Sequence, residues 1–84
     1  MYLRRSHGPE VDLIFERGDT IVAVEIKSSA TLSSADFKGL RALRDDLGGR
    51  FRLGIVAYLG DTLQTVDRSL CAAPLASLLG VGRA

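Results

Sequence analysis

Residues 10–27 constrain the fold of this chain more than any other stretch. Val11, Leu13 and Phe15 alternate with Asp12, Ile14 and Glu16, the two-residue period of a β-strand. Arg17-Gly18-Asp19 then supplies turn chemistry, because glycine takes positive φ without a steric penalty. Residues 20–27 read Thr-Ile-Val-Ala-Val-Glu-Ile-Lys, a β-branched run expected to return as the second strand of a hairpin. Residues 21–24 are continuously apolar, which predicts cover on both faces at that level.

The rest of the chain builds outward from that hairpin. Tyr2 and Leu3 suggest a short extended start before a turn cluster at His7-Gly8-Pro9. Residues 28–31 read as a loop. Ser33 has the chemistry of a helix N-cap, and Asp36 falls near the positive end of the helix dipole. Phe37, Leu40, Leu43 and Leu47 recur at spacings of three and four, marking the buried face of a helix that Gly48-Gly49 should end. Residues 51–59 give a further strand, residues 63–66 and 70–73 two short edge strands, and Pro74 suits the start of a short terminal helix bearing Leu75, Leu78 and Leu79. The expected fold is α/β: a small mixed β-sheet with one main helix packed on it and a short C-terminal helix.

Eighty-four residues make a single domain, 1–84, whose core is small because a chain of this size buries only about 60% of its unfolded surface. A formal charge of +1 gives no global argument for a nucleic-acid partner, leaving only local placement of Arg and Lys. The single Cys71 has no disulfide partner within the chain, there is no zinc-type Cys/His spacing, and the polar start at residues 1–6 lacks an apolar signal core. These features are expected of a cytoplasmic protein. No run approaches the roughly 20 apolar residues of a membrane span, so no membrane partner is expected.

Chemistry concentrates on the hairpin. Side chains on a strand alternate faces, so Glu25 and Lys27 share a face with Ala23. If the loop spans residues 17–20, Glu16 pairs with Ile21 and Asp12 falls opposite Glu25. Opposed residues in an antiparallel pair have Cβ atoms roughly 4.5–5.5 Å apart, and like charges there are destabilising. A divalent cation resolves that conflict, since Mg²⁺ prefers one or two carboxylates together with waters and phosphate oxygens. Lys27, one pleat on, would then offset charge on an attacked phosphate or orient a water. Spacing alone leaves a solvated polar face as the commoner explanation of these three residues.

Asp12, twelve intervening residues and then Glu25-Ile26-Lys27 resemble the D…ExK core of the PD-(D/E)XK nuclease superfamily. The resemblance implies a restriction-endonuclease-like core in which Asp12, Glu25 and the backbone carbonyl of Ile26 hold Mg²⁺ or Mn²⁺ and Lys27 assists hydrolysis. The longer stretch GPEVDLIFERGDTIVAVEIKSSATLSSADFKGLRAL, with the later LCAAPLASLLG, is similar to the C-terminal nuclease-like domain of bacterial AAA+-type ATPases. That similarity spans nearly the whole chain and implies an ATPase module as a partner. Three features depart from the pattern. The superfamily's acidic residue on a helix ahead of the first core strand has no counterpart here, as though the core were truncated at its N-terminus. There is also no G-x-x-x-x-G-K-[ST] phosphate loop. Val11, moreover, stands where the family usually has Pro.

Other candidates carry less. Glu10 shares parity with Asp12, yet a residue at a strand start is commonly just exposed. His7 could act as a base, but a lone histidine in a Gly-Pro turn is usually a surface residue. Lys38, Arg41 and Arg44 form a helix stripe able to meet a DNA phosphate backbone, and a solvated face balanced by Asp45 and Asp46 explains them equally well. Ser28 and Ser29 could contact phosphate, although loop formation is the simpler role. Cys71 fits a small core residue better than a nucleophile. Without its upstream helix the sheet has an uncovered surface, which predicts a homodimer or domain swap. The functional expectation is a metal- and DNA-binding nuclease-like module with Asp12 and Glu25 as ligands and Lys27 as catalytic base or charge stabiliser, with a non-catalytic interaction module carrying a relic metal site as the alternative.

Overall fold

The computed structural model describes residues 2–5, as backbone, and residues 11–80. The turn cluster at residues 7–9 and the side chains of Arg4 and Arg5 lie outside what it describes. Ten segments follow one another: β1 (Tyr2–Arg5), β2 (Leu13–Arg17), β3 (Thr20–Ile26), a 3-10 turn (Ser34–Phe37), α1 (Lys38–Leu47), a second 3-10 turn (Gly48–Arg50), β4 (Phe51–Tyr58), β5 (Gln64–Asp67), β6 (Leu70–Pro74) and α2 (Leu75–Leu79). The strands form one six-stranded mixed sheet in the order β1-β2-β3-β4-β6-β5. The α/β class, the main helix and the short terminal helix are those expected from the sequence.

The β2–β3 hairpin closes through Gly18-Asp19, with Arg17 paired to Thr20 and Glu16 to Ile21. Gly18 takes φ 59°, the left-handed conformation such a tight turn requires. β3 then crosses over through α1 to β4, which runs parallel to it, and β6 lies parallel to β4 on the far side. β6 is therefore an interior strand rather than an edge: Leu70, Ala72 and Ala73 are buried. Its residues are small enough to mimic an edge pattern, and only the edge β5, all four residues exposed, behaves as one.

The core lies between α1 and one face of the sheet. Leu40 and Phe37 meet Ala23, Phe51, Val56, Tyr58, Leu70 and Ala72 there, and Leu43 and Leu47 pack against its margin. Gly54 lets the layers close. A Cβ at that position would lie 2.7 Å from the Phe51 ring and 2.8 Å from Leu70, closer than carbon atoms tolerate. Gly48 caps α1 at φ 58°, as the Gly48-Gly49 pair suggested.

The opposite face is less covered than the apolar run at residues 21–24 implied. Val24 is buried but Val22 is only half-buried, and Ile26 is 43% exposed. The five residues of α2 shade this face without burying any of their own side chains. Leu79 stays 67% exposed. A continuous apolar run reports apolar surroundings on both sides only when a second layer is long enough to supply them.

Candidate active site

The parity of β3 places Ala23 and Glu25 on the helix side of the sheet, and both are buried, Glu25 with only 4% of its surface exposed. Burying a carboxylate is costly without a compensating charge. Lys27, next along the same face, provides one: its Nζ lies 2.8 Å from Glu25 Oε2. The same ammonium is 3.9 Å from Asp36 Oδ1. The hydrogen bond to Glu25 holds the Lys27 pKa above that of an ordinary lysine; burial pulls the other way, and the charges of Glu25, Asp36 and Asp12 add to the rise. Lys27 is thus a fixed positive charge at neutral pH rather than a proton acceptor.

Asp12 joins this group by a different route from the strand pairing expected of it. The first strand was expected from residue 10, whereas β2 begins at Leu13. The Asp12 N–H donates to the Val24 carbonyl at 3.0 Å, one residue out of the hairpin register. Its carboxylate Oδ2 accepts the Ile26 N–H at 2.8 Å. The side chain therefore takes the place of a backbone carbonyl in the ladder. In an antiparallel ladder a residue's N–H and C=O point to the same neighbour, so the Ile26 carbonyl projects along the edge that Asp12 occupies.

Backbone bonds fix the floor of the site. The Lys27 N–H donates to Ala57 O at 2.8 Å, and the Leu59 N–H donates to Ser29 O at 2.9 Å. These tie the loop after β3 to the end of β4. The cluster thus sits at the carboxyl ends of two parallel strands, the place where open α/β sheets bind their ligands. Ser29 is engaged locally, its hydroxyl bonded to Thr31, and in that respect it is a loop-former.

Sequence reasoning valued Asp36 only for the helix dipole. Its Oδ2 accepts the Ser33 N–H at 2.9 Å, the return half of a capping box, while Oδ1 faces Lys27. The capping pattern from Ser33 to Asp36 was the available signal. What it lacked was the knowledge that α1 starts beside the end of β3.

The basic stripe is not presented as one surface. Arg41 Nη1 donates to Ser34 O at 3.3 Å, and its guanidinium lies 5.8 Å from the centre of the Phe37 ring. Arg44 forms an ion pair with Asp67 at 3.0 Å and donates to Ser69 Oγ at 2.8 Å, at the far end of α1 from Lys27. Lys38 alone remains exposed without such a contact among the described residues. Cys71 is half-buried, and burial pushes its thiol pKa up, against a role as nucleophile. Glu10 and His7 lie outside the described residues. Among the described residues no three acidic, imidazole or thiol groups form a ready-made metal cage, and no helix is long and apolar enough to cross a membrane.

A family model described as a domain of unknown function, DUF4143, matches residues 1–78. The chain belongs to the DUF4143 family. No curated protein and no solved structure gives a significant match. The matched span contains every member of the cluster: Asp12 ahead of β2, Glu25 and Lys27 on and just beyond β3, and Asp36 at the entry to α1. In this DUF4143 domain the acids and the lysine converge from three separate elements on one end of the sheet.

Proposed function

We propose that this DUF4143 domain is a nuclease-like module of the PD-(D/E)XK type, acting on the phosphodiester bonds of DNA as the C-terminal part of an ATPase-family protein. One observation carries the reading. Lys27 stands 2.8 Å from a buried Glu25, with Asp12 bonded to the intervening residue Ile26, at the carboxyl end of β3.

The donor set suits a hard divalent cation. Asp12, Glu25 and the Ile26 carbonyl offer oxygen ligands only, with the two carboxylates that Mg²⁺ commonly takes, and Glu25 is already arranged to neutralise a cation. When bound there, Mg²⁺ or Mn²⁺ would supply Lewis-acid polarisation of the phosphate and of an attacking water. The protein's own part is positional and electrostatic. Glu25, held under α1, fixes the Lys27 ammonium at the mouth of the site. As water attacks phosphorus and the P–O bond to the leaving oxygen breaks, that ammonium offsets the charge gathering on the non-bridging oxygens. A metal-dependent plasmid-nicking assay tests this: wild type should nick, and Lys27→Met should lose at least about a hundredfold in rate. Equal rates in both proteins would contradict it.

A second reading has its own support in the apolar sheet face, where Leu13, Phe15, Val22 and Ile26 share a shallow groove of about 250 Å³ with Leu78 and Leu79. An apolar groove beside exposed Leu78 and Leu79 suits a partner's side chains, and in this reading the domain pairs with a second copy or docks an ATPase module while its acids are a relic.

A further inference from the structure

At the other end of the sheet, where β3, β4 and β6 begin and α1 ends, lies an open cavity of about 710 Å³. That is within the size range of small-ligand sites. Its lining holds three arginines, Arg44, Arg52 and Arg68, against a single acid, Asp67, in a protein whose formal charge is only +1.

Four features distinguish this cavity from a solvated basic patch. First, Arg44 is anchored: Nη1 meets both Asp67 oxygens at 3.0 and 3.2 Å and Ser69 Oγ at 2.8 Å. Asp67 is itself fixed by the Ser69 N–H at 2.9 Å. Second, Arg52 and Arg68 have no hydrogen-bond or ion-pair partner among the described residues, so two guanidiniums are left for a ligand. Third, both flanking ladders are bulged at this rim. Ile21 pairs with Phe51 and Val22 with Leu53, leaving Arg52 as the extra residue. Thr65 pairs with Cys71 and Asp67 with Leu70, leaving Val66 extra just before the turn that carries Arg68. Bulges re-aim side chains at the cost of ladder pairing, and they gather beside functional sites. Fourth, Gly49 lines the cavity, yet a Cβ there would meet nothing within 4 Å and its φ is not positive. The backbone at Gly49 is therefore open to the cavity, and a larger side chain there would project into it without clashing with the fold.

The geometry points to a binding site for a phosphate group bearing more than one negative charge, gripped by Arg52 and Arg68, with the Arg44–Asp67–Ser69 cluster as its floor. Guanidinium pairs suit phosphate because their planar donors match its oxygens two at a time. The carbonyl end of α1 repels anions, so the ligand sits toward the Arg52 and Arg68 side. The site is independent of the Asp12–Glu25–Lys27 cluster and stands whether or not that cluster is catalytic.

Calorimetric titration of inorganic pyrophosphate into the full chain, with chelator present, tests the assignment. Saturable one-to-one binding is expected. The Arg52→Gln/Arg68→Gln protein should bind at least about tenfold more weakly, and Gly49→Leu should do the same by filling the cavity without losing charge. Arg17→Gln removes one charge outside the lining and should change affinity by no more than about twofold. Unchanged melting curves separate these effects from loss of fold. A short DNA duplex added in competition checks the charge class: indifference fits a phosphate monoester or diphosphate group, and displacement of pyrophosphate by the singly charged phosphodiesters of DNA would overturn the assignment. Absence of saturable binding would overturn the proposal. So would full affinity in Gly49→Leu, or losses in all variants that track only the charge removed.

Discussion

A carboxylate as deeply buried as Glu25 destabilises a fold unless a cation accompanies it, and Lys27 supplies that cation at 2.8 Å. Replacing Lys27 with Met should therefore cost on the order of 1–3 kcal/mol, between the values for exposed and buried pairs because Lys27 is itself partly in water. Urea unfolding at neutral pH measures this as a lower midpoint at unchanged slope. The pH dependence follows from the direction of the Lys27 shift. Its folded pKa is raised, so its contribution is complete below the ordinary lysine value of about 10.4. That contribution disappears as pH climbs through the higher folded value. The stability gap between wild type and Glu25→Gln should then close as pH rises above about 10.4, and a gap constant to strong alkali would contradict the pairing. Strand parity revealed the shared face of Glu25 and Lys27 from sequence. It could not reveal the Asp12–Ile26 bond, because there a side chain substitutes for a backbone acceptor and periodicity is blind to that exchange.

Two junctions between elements bring the site together. Asp36 serves the 3-10 turn that leads into α1 through its bond to the Ser33 N–H and the site through Lys27, and two variants separate those roles. Asp36→Asn keeps an acceptor for the cap and removes the charge; Asp36→Ala removes both. Only Asp36→Ala should lose the stability of a cap, about 1 kcal/mol, by thermal or urea unfolding, while both should weaken Mn²⁺ binding if the charge matters. Gly54 governs the contact of α1 with the sheet. Gly54→Ala should destabilise by about 1–3 kcal/mol through overpacking, given the 2.7 Å approach of Phe51. The hairpin register and the helix face were legible because each rests on local spacing. The interior position of β6 was not, since Leu70, Cys71, Ala72 and Ala73 fit either an edge or a centre, and the parallel pairing to β4 is a long-range choice.

Across the whole molecule the two ends of the sheet differ in chemistry, and the two faces differ in cover. The D…ExK cluster lies at the carboxyl ends of β3 and β4, the arginine-lined cavity at the opposite ends, and α1 protects one face more fully than α2 protects the other. Sedimentation velocity over a concentration series bears on the open face. Association weakened by Phe15→Ser would show that a second copy covers it, and a monomer throughout would leave self-pairing without support. The distribution of charge between the ends could not be read from a net charge of +1, because opposite signs cancel in the sum while topology separates them. The central proposal is that Asp12, Glu25 and the Ile26 carbonyl hold a divalent metal. Its most direct measurement is calorimetric titration of Mn²⁺ into wild type and Glu25→Gln. The account predicts one-site binding to wild type that is lost in Glu25→Gln while the fold persists. No binding to wild type, or equal binding to both proteins, would contradict it.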